Sequence, residues 1–161
     1  MTAPLTSTQL YCYSKEMVQK STTKLIPALK NLPYKDRLKA CNISTLHYSR
    51  VRGHMIETCK ILSGKYDTNV VPYFNRTGIQ ATRGNDLRIC RTRFKYDLCM
   101  FCFTNRVVDA LNSLPNYIVT ANNTNIFKRR LDAYWQDQDI IYDFCAQLQG
   151  TGSRSAVFRY E

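Results

Sequence analysis

The stretch TLHYSRVRGHMIETCKIL, residues 45–62, decides the fold class of this chain. Its apolar residues recur at the three- and four-residue spacing that lines one face of an α-helix. They are Tyr48, Val51, Met55, Cys59 and Leu62. Ser44 or Thr45 suits the N-cap of such a helix, and Gly64 suits its end. The pattern therefore predicts a long helix that packs along one side.

The opposite side of this helix is basic. Arg50 and Arg52 precede Gly53, a poor helix former, and only Glu57 balances their charge. A face of this kind is either an ordinary solvated surface or one that lies along phosphate groups. The choice between the two depends on the rest of the chain.

Shorter helices are predicted on both sides of residues 45–62. Before it, one helix ends at Pro27 and a second begins near Pro33, because proline is excluded from a helix interior but suits a first turn. After it, LCMFCFTNRVVDALNSLP has helical spacing up to Pro115. A last helix is predicted from about Thr124 to Trp135, capped by Asn123 or Thr124.

Between these helices the composition and the periodicity of the sequence change. Residues 67–85 carry turn-forming residues and little periodicity, and DLRICRTRFKYD, residues 86–97, alternates with the period of a strand. We therefore expect a mainly α fold: a small helical bundle with one short strand or hairpin around residues 80–95. We expect residues 1–14 to form a loose leader, residues 15–144 a single helical domain, and residues 145–161 an irregular tail.

The charge of the chain favours a polyanionic partner. The 161 residues carry a formal net charge of +11, and the pI is about 9.5. The excess of Lys and Arg lies in residues 1–106, whereas residues 107–161 carry 5 basic and 6 acidic residues. Nucleic acid is the first candidate, and it would meet the first two thirds of the chain.

Cysteine usage and the N-terminal sequence favour a reducing compartment. The seven cysteines are odd in number and show no disulfide framework, and the N-terminus lacks the apolar core of a signal peptide. No apolar run reaches the length of a membrane span. We expect an intracellular protein, cytoplasmic or nuclear, that is not secreted and has no membrane partner.

Catalytic and metal-binding signatures are weak. His47 and His54 are the only histidines and belong to no motif, so no catalytic triad can be argued. The acidic group WQDQDIIYD and the lone Cys99–Cys102 pair fit solvated acids and buried thiols better than a metal site. We expect no catalytic residue, no metal site and no cofactor; a metal-assisted enzyme that uses either group is the minor alternative.

Basic residues are instead spaced for contact with phosphates, and Phe94 and Tyr96 interleave with them as possible stacking faces for unpaired bases. A solvated basic surface is the competing interpretation. The candidate nucleic-acid-binding residues are Lys20, Lys24, Lys30, Arg50, Arg52, Arg83, Arg88, Arg91, Arg93 and Arg106.

Four blocks of the sequence, taken in order, carry a family resemblance. They are MVQKSTTKLIPALKNLPYKDRLKACNISTLHYSRVRGHMIETCKILSGKYD, ATRGNDLRICRTR, FCFTNRVVDALNSLP, and NTNIFKRRLDAYW with IIYDF. From about residue 16 to 144 the chain resembles the C-terminal, thumb and post-thumb portion of reverse transcriptases of non-LTR (LINE-type) retrotransposons. In that family the catalytic aspartates lie upstream, in a turn that this chain does not contain.

The resemblance implies a non-enzymatic fragment of an RNA-directed DNA polymerase from a transposable element. Such a fragment would contact template RNA or single-stranded DNA through its basic face, without sequence specificity, and would adjoin the upstream reverse transcriptase lobe. The alternative is a helical structural or protein-interaction module with no nucleic-acid role.

Overall fold

The chain is mainly helical, as the sequence predicts. The computed structural model describes residues 7–76, 88–91 and 102–150. Its contacts divide the chain into two compact units, where the sequence predicts one domain. The first unit comprises Met1–Arg52 and Asp137–Leu148, and the second comprises Gly53–Gln136 and Gln149–Glu161.

The first unit contains two complete α-helices and the beginning of a third. Helix α1 spans Ser7–Lys24 and α2 spans Tyr34–Cys41, with a short 3-10 helix, Pro27–Leu29, between them. Helix α3, Leu46–Leu62, begins in this unit, and the boundary between the units falls inside it. A second 3-10 helix, Asp139–Ile141, completes the first unit.

Helix α1 corrects the prediction of a loose leader. It begins at Ser7, so eight of the fourteen residues of the expected leader are helical. The segment from Ser7 to Lys24 contains no Gly or Pro to interrupt a helix. Its apolar residues lack a clear helical period, which is why the sequence pattern did not reveal its first two turns. The end near Pro27 and the start of α2 after Pro33 agree with the prediction.

The interior of the first unit is unusually polar. Glu16 and Arg37 are buried, with 1% and 2% of their surface exposed. One carboxylate oxygen of Glu16 accepts a 2.6 Å hydrogen bond from the Tyr34 hydroxyl, and the other accepts one from the backbone N–H of Leu46. The Arg37 guanidinium donates to the backbone carbonyl oxygens of Leu32 and Lys20. These bonds satisfy the Glu16 carboxylate and part of the Arg37 guanidinium, whose Nε is buried without a hydrogen-bond partner.

Both predicted ends of α3 are confirmed. The Thr45 hydroxyl accepts from the backbone N–H of Tyr48, 3.1 Å away, as an N-cap does, and it donates to the carbonyl oxygen of Ile140. At the other end Gly64 adopts a φ of +67°, and the N–H of Lys65 reaches back to the carbonyl of Lys60. That is the left-handed glycine termination expected from the sequence.

The second unit holds the larger apolar core. It contains the rest of α3, then α4 at Phe103–Ser113, α5 at Asn116–Val119 and α6 at Thr124–Trp135. The helix predicted before Pro115 is confirmed as α4, and α6 is capped by the Asn123 side chain, which accepts from the backbone N–H of Asn125. The largest fully buried apolar residues here are Met55, Ile89, Val107, Ile118, Phe127, Leu131 and Trp135.

The predicted strand is visible only in part. Ile89 forms an isolated antiparallel bridge with Arg76, and the N–H of Cys90 donates to the carbonyl of Asn75. The rest of the strand proposed for residues 80–95 lies outside the described residues. The short helix α5 and both 3-10 helices were not predicted, because three or four residues are too few to show a period. In the part of the chain that the structure describes, no helix is both long and apolar enough to cross a lipid bilayer.

Candidate nucleic-acid interface

The segment of residues 88–91 is held against α4 by one side chain. The amide of Asn112 accepts from the backbone N–H of Ile89 at 3.2 Å and donates to the carbonyl oxygen of Ile89 at 2.8 Å. The Ile89 side chain is buried, so the segment is fixed by both its main chain and one apolar anchor. The arginines on either side of Ile89 therefore have a defined position on the second unit.

Arg91 contacts the surface of α4, the helix that carries Arg106. Arg91 forms an ion pair with Asp109, in which both side chains are more than half exposed. Arg106 lies one turn before Asp109 on the same helix and is exposed. Because an exposed ion pair contributes only about 0–1 kcal/mol, a phosphate group can compete with Asp109 for Arg91.

Two further arginines lie at the antiparallel bridge that Ile89 forms. Arg88 precedes the buried Ile89 and is half-buried. Arg76, which was not among the predicted binding residues, is the bridge partner of Ile89 and donates to the carbonyl oxygen of Leu62 at the end of α3. We refer to Arg76, Arg88, Arg91 and Arg106 as the arginine cluster.

The predicted lysines lie in the first unit. Lys20 and Lys24 are one turn apart on α1, with Lys20 half-buried and Lys24 exposed. Lys30 is exposed directly after the first 3-10 helix. These lysines give the first unit a basic edge.

Arg50 and Arg52 do not form one ridge along α3. Successive residues of an α-helix are rotated by about 100°, so two side chains that are two residues apart point in nearly opposite directions. Both are half-buried, and both engage other groups of the protein. The sequence predicts one basic face that could lie along phosphate groups. In the structure this helix instead carries one arginine on each of two opposite sides.

Other predicted residues fall outside the described chain. Arg83 and Arg93 lie there, as do the interleaved aromatics Phe94 and Tyr96. Arg37, although basic, is not available to a ligand, because its guanidinium is buried and lies 5.5 Å from the ring centre of Tyr34.

The acidic residue and the two histidines of α3 interact with other groups of the protein. They are Glu57, His47 and His54. Burial disfavours ionisation of Glu57, but hydrogen bonds from Tyr66 and Lys60 outweigh it and lower the pKa of Glu57 below its usual value. Burial, helped by the positive charge of Arg50, lowers the pKa of His47. His54 packs its ring edge-to-face with Phe103, the centroids 5.4 Å apart.

A basic triplet on α6 was not among the predicted binding residues. Lys128, Arg129 and Arg130 follow one another there, and Arg129 is exposed. The run KRR is visible in the sequence. Acidic residues elsewhere in residues 107–161 offset its charge, so this part of the chain has no excess of basic residues. Tyr134, which is also exposed, lies one turn after Arg130.

Metal-binding geometry does not emerge from the acidic group or from the described cysteines. Asp137 and Asp139 are exposed, and Asp143 accepts a hydrogen bond from the backbone N–H of Cys145 in a local turn. Cys102 is an exposed free thiol, and Cys99 lies outside the described residues. Across residues 7–76, 88–91 and 102–150, no three His, Cys, Asp or Glu side chains are grouped to hold a metal ion.

Comparison of the chain with protein-family models, curated proteins and solved structures finds no match.

Proposed function

We propose that this chain is a non-catalytic helical module that binds single-stranded RNA or DNA through its basic surface. The observation that carries the proposal is the arginine cluster of the second unit. A buried anchor and a side-chain amide fix the main chain beside Arg91, and Arg106 lies on the facing helix. Guanidinium groups in fixed positions neutralise phosphates and release their counterions, which gives affinity without sequence specificity.

The resemblance to the C-terminal, thumb and post-thumb portion of non-LTR reverse transcriptases supports the same proposal. A module from that section would hold template or target strands for a polymerase lobe encoded upstream. Nucleotide transfer needs clustered carboxylates that hold divalent cations, and this sequence has no adjacent pair of aspartates. We therefore expect the purified 161-residue protein to incorporate no nucleotides on a primed template.

Fluorescence anisotropy with a labelled single-stranded RNA of about 20 nucleotides tests the binding proposal. For a single strand, log K falls with log salt by about 0.7 per neutralised phosphate. The double variant Arg91→Gln with Arg106→Gln should bind several-fold more weakly and reduce this slope by about one to one and a half.

A variant of equal net charge provides the control. Lys35 and Lys65 are exposed and lie outside the arginine cluster, so Lys35→Gln with Lys65→Gln should keep most of the affinity. Binding that is independent of salt, or equal losses in the two double variants, would refute the proposed role of the cluster. Far-UV circular dichroism of both variants shows whether the helices are intact.

One observation favours a second candidate, a protein-interaction module. The connection between α1 and α2 exposes three apolar side chains: Leu25 is 80% exposed, Ile26 41% and Leu32 40%. Apolar groups exposed together are common at protein–protein contacts. This candidate predicts no RNA binding at low salt, together with self- or partner association that Leu25→Ser with Leu32→Ser abolishes in analytical ultracentrifugation.

A further inference from the structure

Two tyrosine rings of the second unit are exposed on neighbouring helices. Tyr117, on α5, exposes 53% of its surface, and Tyr134, near the end of α6, exposes 39%. The core next to them is filled by Ile118, Leu131 and Trp135, which are fully buried. The packing of the unit thus leaves these two aromatic rings at the surface.

Arg130 links the two helices that carry these rings. Its Nη1 donates to the backbone carbonyl oxygen of Tyr117, and it lies one helical turn before Tyr134. This bond uses one of the five N–H groups of the guanidinium, so the group keeps donors for a phosphate or a base edge. The hydrogen bond also restricts Arg130 to a position beside Tyr117.

The surroundings of the two rings suit an anionic, flat ligand. Arg129 is exposed beside Arg130, and Ala133 is exposed and too small to cover the Tyr134 ring. Burial and the nearby phenol of Tyr134 raise the pKa of Tyr117, with Arg130 opposing them. Tyr117 therefore stays neutral at physiological pH, and a neutral phenol does not repel a phosphate strand.

We propose that Tyr117, Arg130 and Tyr134 form a stacking platform for the unpaired bases of a single-stranded nucleic acid. The inference rests on the proposed function and adds to it the chemical group that is recognised, the face of a base. Bases are available for stacking on protein rings only where they are unpaired, so the platform selects single strands over duplexes. Arg129 and Arg130 supply the accompanying phosphate contacts.

An abasic strand isolates the stacking contribution. Anisotropy should be measured with a labelled oligo(dT) 12-mer and with a 12-mer of abasic tetrahydrofuran residues, which carries the same phosphates and no bases. Stacking on an aromatic side chain is worth a factor of about 5 to 150 per base, so the wild-type protein should prefer oligo(dT) by about tenfold or more. The double variant Tyr117→Leu with Tyr134→Leu should lose this preference and keep its affinity for the abasic strand.

The matched control keeps the rings and removes only the hydroxyl groups. Tyr117→Phe with Tyr134→Phe should preserve the preference for bases. Emission of Trp135, the single tryptophan and a buried one, reports that each variant retains the fold around the platform.

Each outcome separates this inference from the proposed function. Equal wild-type affinity for the two strands overturns the platform and leaves phosphate binding standing. A preference that survives in the leucine variant overturns it as well, because the bases then stack elsewhere. Absence of binding to either strand at low salt overturns both proposals.

Discussion

Glu16 shows how a single side chain organises the first unit. Its buried carboxylate accepts hydrogen bonds from the Tyr34 hydroxyl on α2 and from the N–H of Leu46, the first residue of α3. A carboxylate at a helix N-terminus also interacts favourably with the helix dipole. One residue of α1 thus joins the starts of both following helices.

Replacement of Glu16 should therefore cost more than one hydrogen bond. We expect Glu16→Ala to lower the free energy of unfolding by about 2–4 kcal/mol, because it leaves two part-buried donors without an acceptor. Tyr34→Phe should cost about 1 kcal/mol, and the double variant less than the sum of the two. Urea denaturation measures all three; Ser21→Ala, exposed on the same helix, is the control. Additive losses would show that Glu16 and Tyr34 are not coupled.

His47 should make stability depend on pH between the ordinary imidazole pKa of 6.5 and the lower pKa of its folded state. Its folded-state pKa lies below the ordinary value of 6.5, so the unfolded chain takes up the proton first. The contribution of neutral His47 to the free energy of unfolding is fully present above pH 6.5. It is lost as the pH falls from there through the folded-state pKa. We expect the melting temperature to drop over this interval, and to drop less in His47→Gln.

The second histidine is the internal control for this prediction. His54 lies seven residues further along α3 and packs on Phe103. His54→Gln should keep the pH-dependent drop that His47 causes, whatever its own effect at pH 7.5. An identical pH dependence in wild type and His47→Gln would contradict the assignment. The carboxylates titrate mainly below this range, so they do not obscure the result.

At the scale of the element, two glycines of the α3 region should respond in opposite ways to alanine. Gly64 ends the helix with a φ of +67°, where a Cβ is strained, so Gly64→Ala should destabilise the protein by about 1 kcal/mol. Gly53 lies inside α3, and an added Cβ there would meet no atom within 4 Å. Gly53→Ala should stabilise by about 0.5–1 kcal/mol.

Chemical denaturation of the two variants side by side gives the check. Both substitutions add one methyl group to the same segment, Gly64→Ala at its end and Gly53→Ala in its middle. Each variant therefore serves as the control for the other. A loss of stability in both variants would show that Gly53 is needed for something other than helix formation. The slopes of the two transitions should match that of wild type.

Helix ends that depend on local chemistry could be predicted from the sequence. Thr45, Gly64 and Asn123 act through hydrogen bonds or backbone angles within a few residues, and all three predictions are confirmed. The start of α1 at Ser7 was not predicted, because no apolar period follows the N-cap candidate Thr6. Helix α5 was missed for a related reason: its four residues show no repeat.

The candidate site was predicted less completely than the fold. Arg91 and Arg106 were identified from charge alone, but the position of Arg91 against α4 depends on the side chain of Asn112, a long-range contact that no local pattern encodes. Arg37 shows that a count of charges can also overestimate a binding surface, because this cation is buried in the structure. Helical spacing does not specify how wide the buried stripe of α6 is, so it does not predict that Tyr134 is exposed while the adjacent Trp135 is buried.

At the scale of the whole molecule, the excess of positive charge works against compactness. In each unit Lys and Arg outnumber Asp and Glu, and the net charge of the chain is +11. Like charges repel less when salt shortens the Debye length from about 30 Å at 0.01 M to about 8 Å at 0.15 M.

Moderate salt should therefore stabilise the isolated protein. We expect the melting temperature to rise by about 2 °C or more between 0.01 and 0.15 M NaCl, measured by differential scanning calorimetry. The control is the variant Lys35→Gln with Lys65→Gln, whose lower net charge should make the rise smaller. A fall in melting temperature over this range would mean that favourable ion pairs dominate.

The double hydrogen bond between Asn112 and Ile89 has a consequence for how this surface can change. The attachment uses main-chain atoms and one buried aliphatic side chain, and neither depends on the exposed side chains at positions 90 and 91. Those two positions can therefore accept neutral residues while the segment stays in place. The charge of this surface can thus change without altering the fold beneath it.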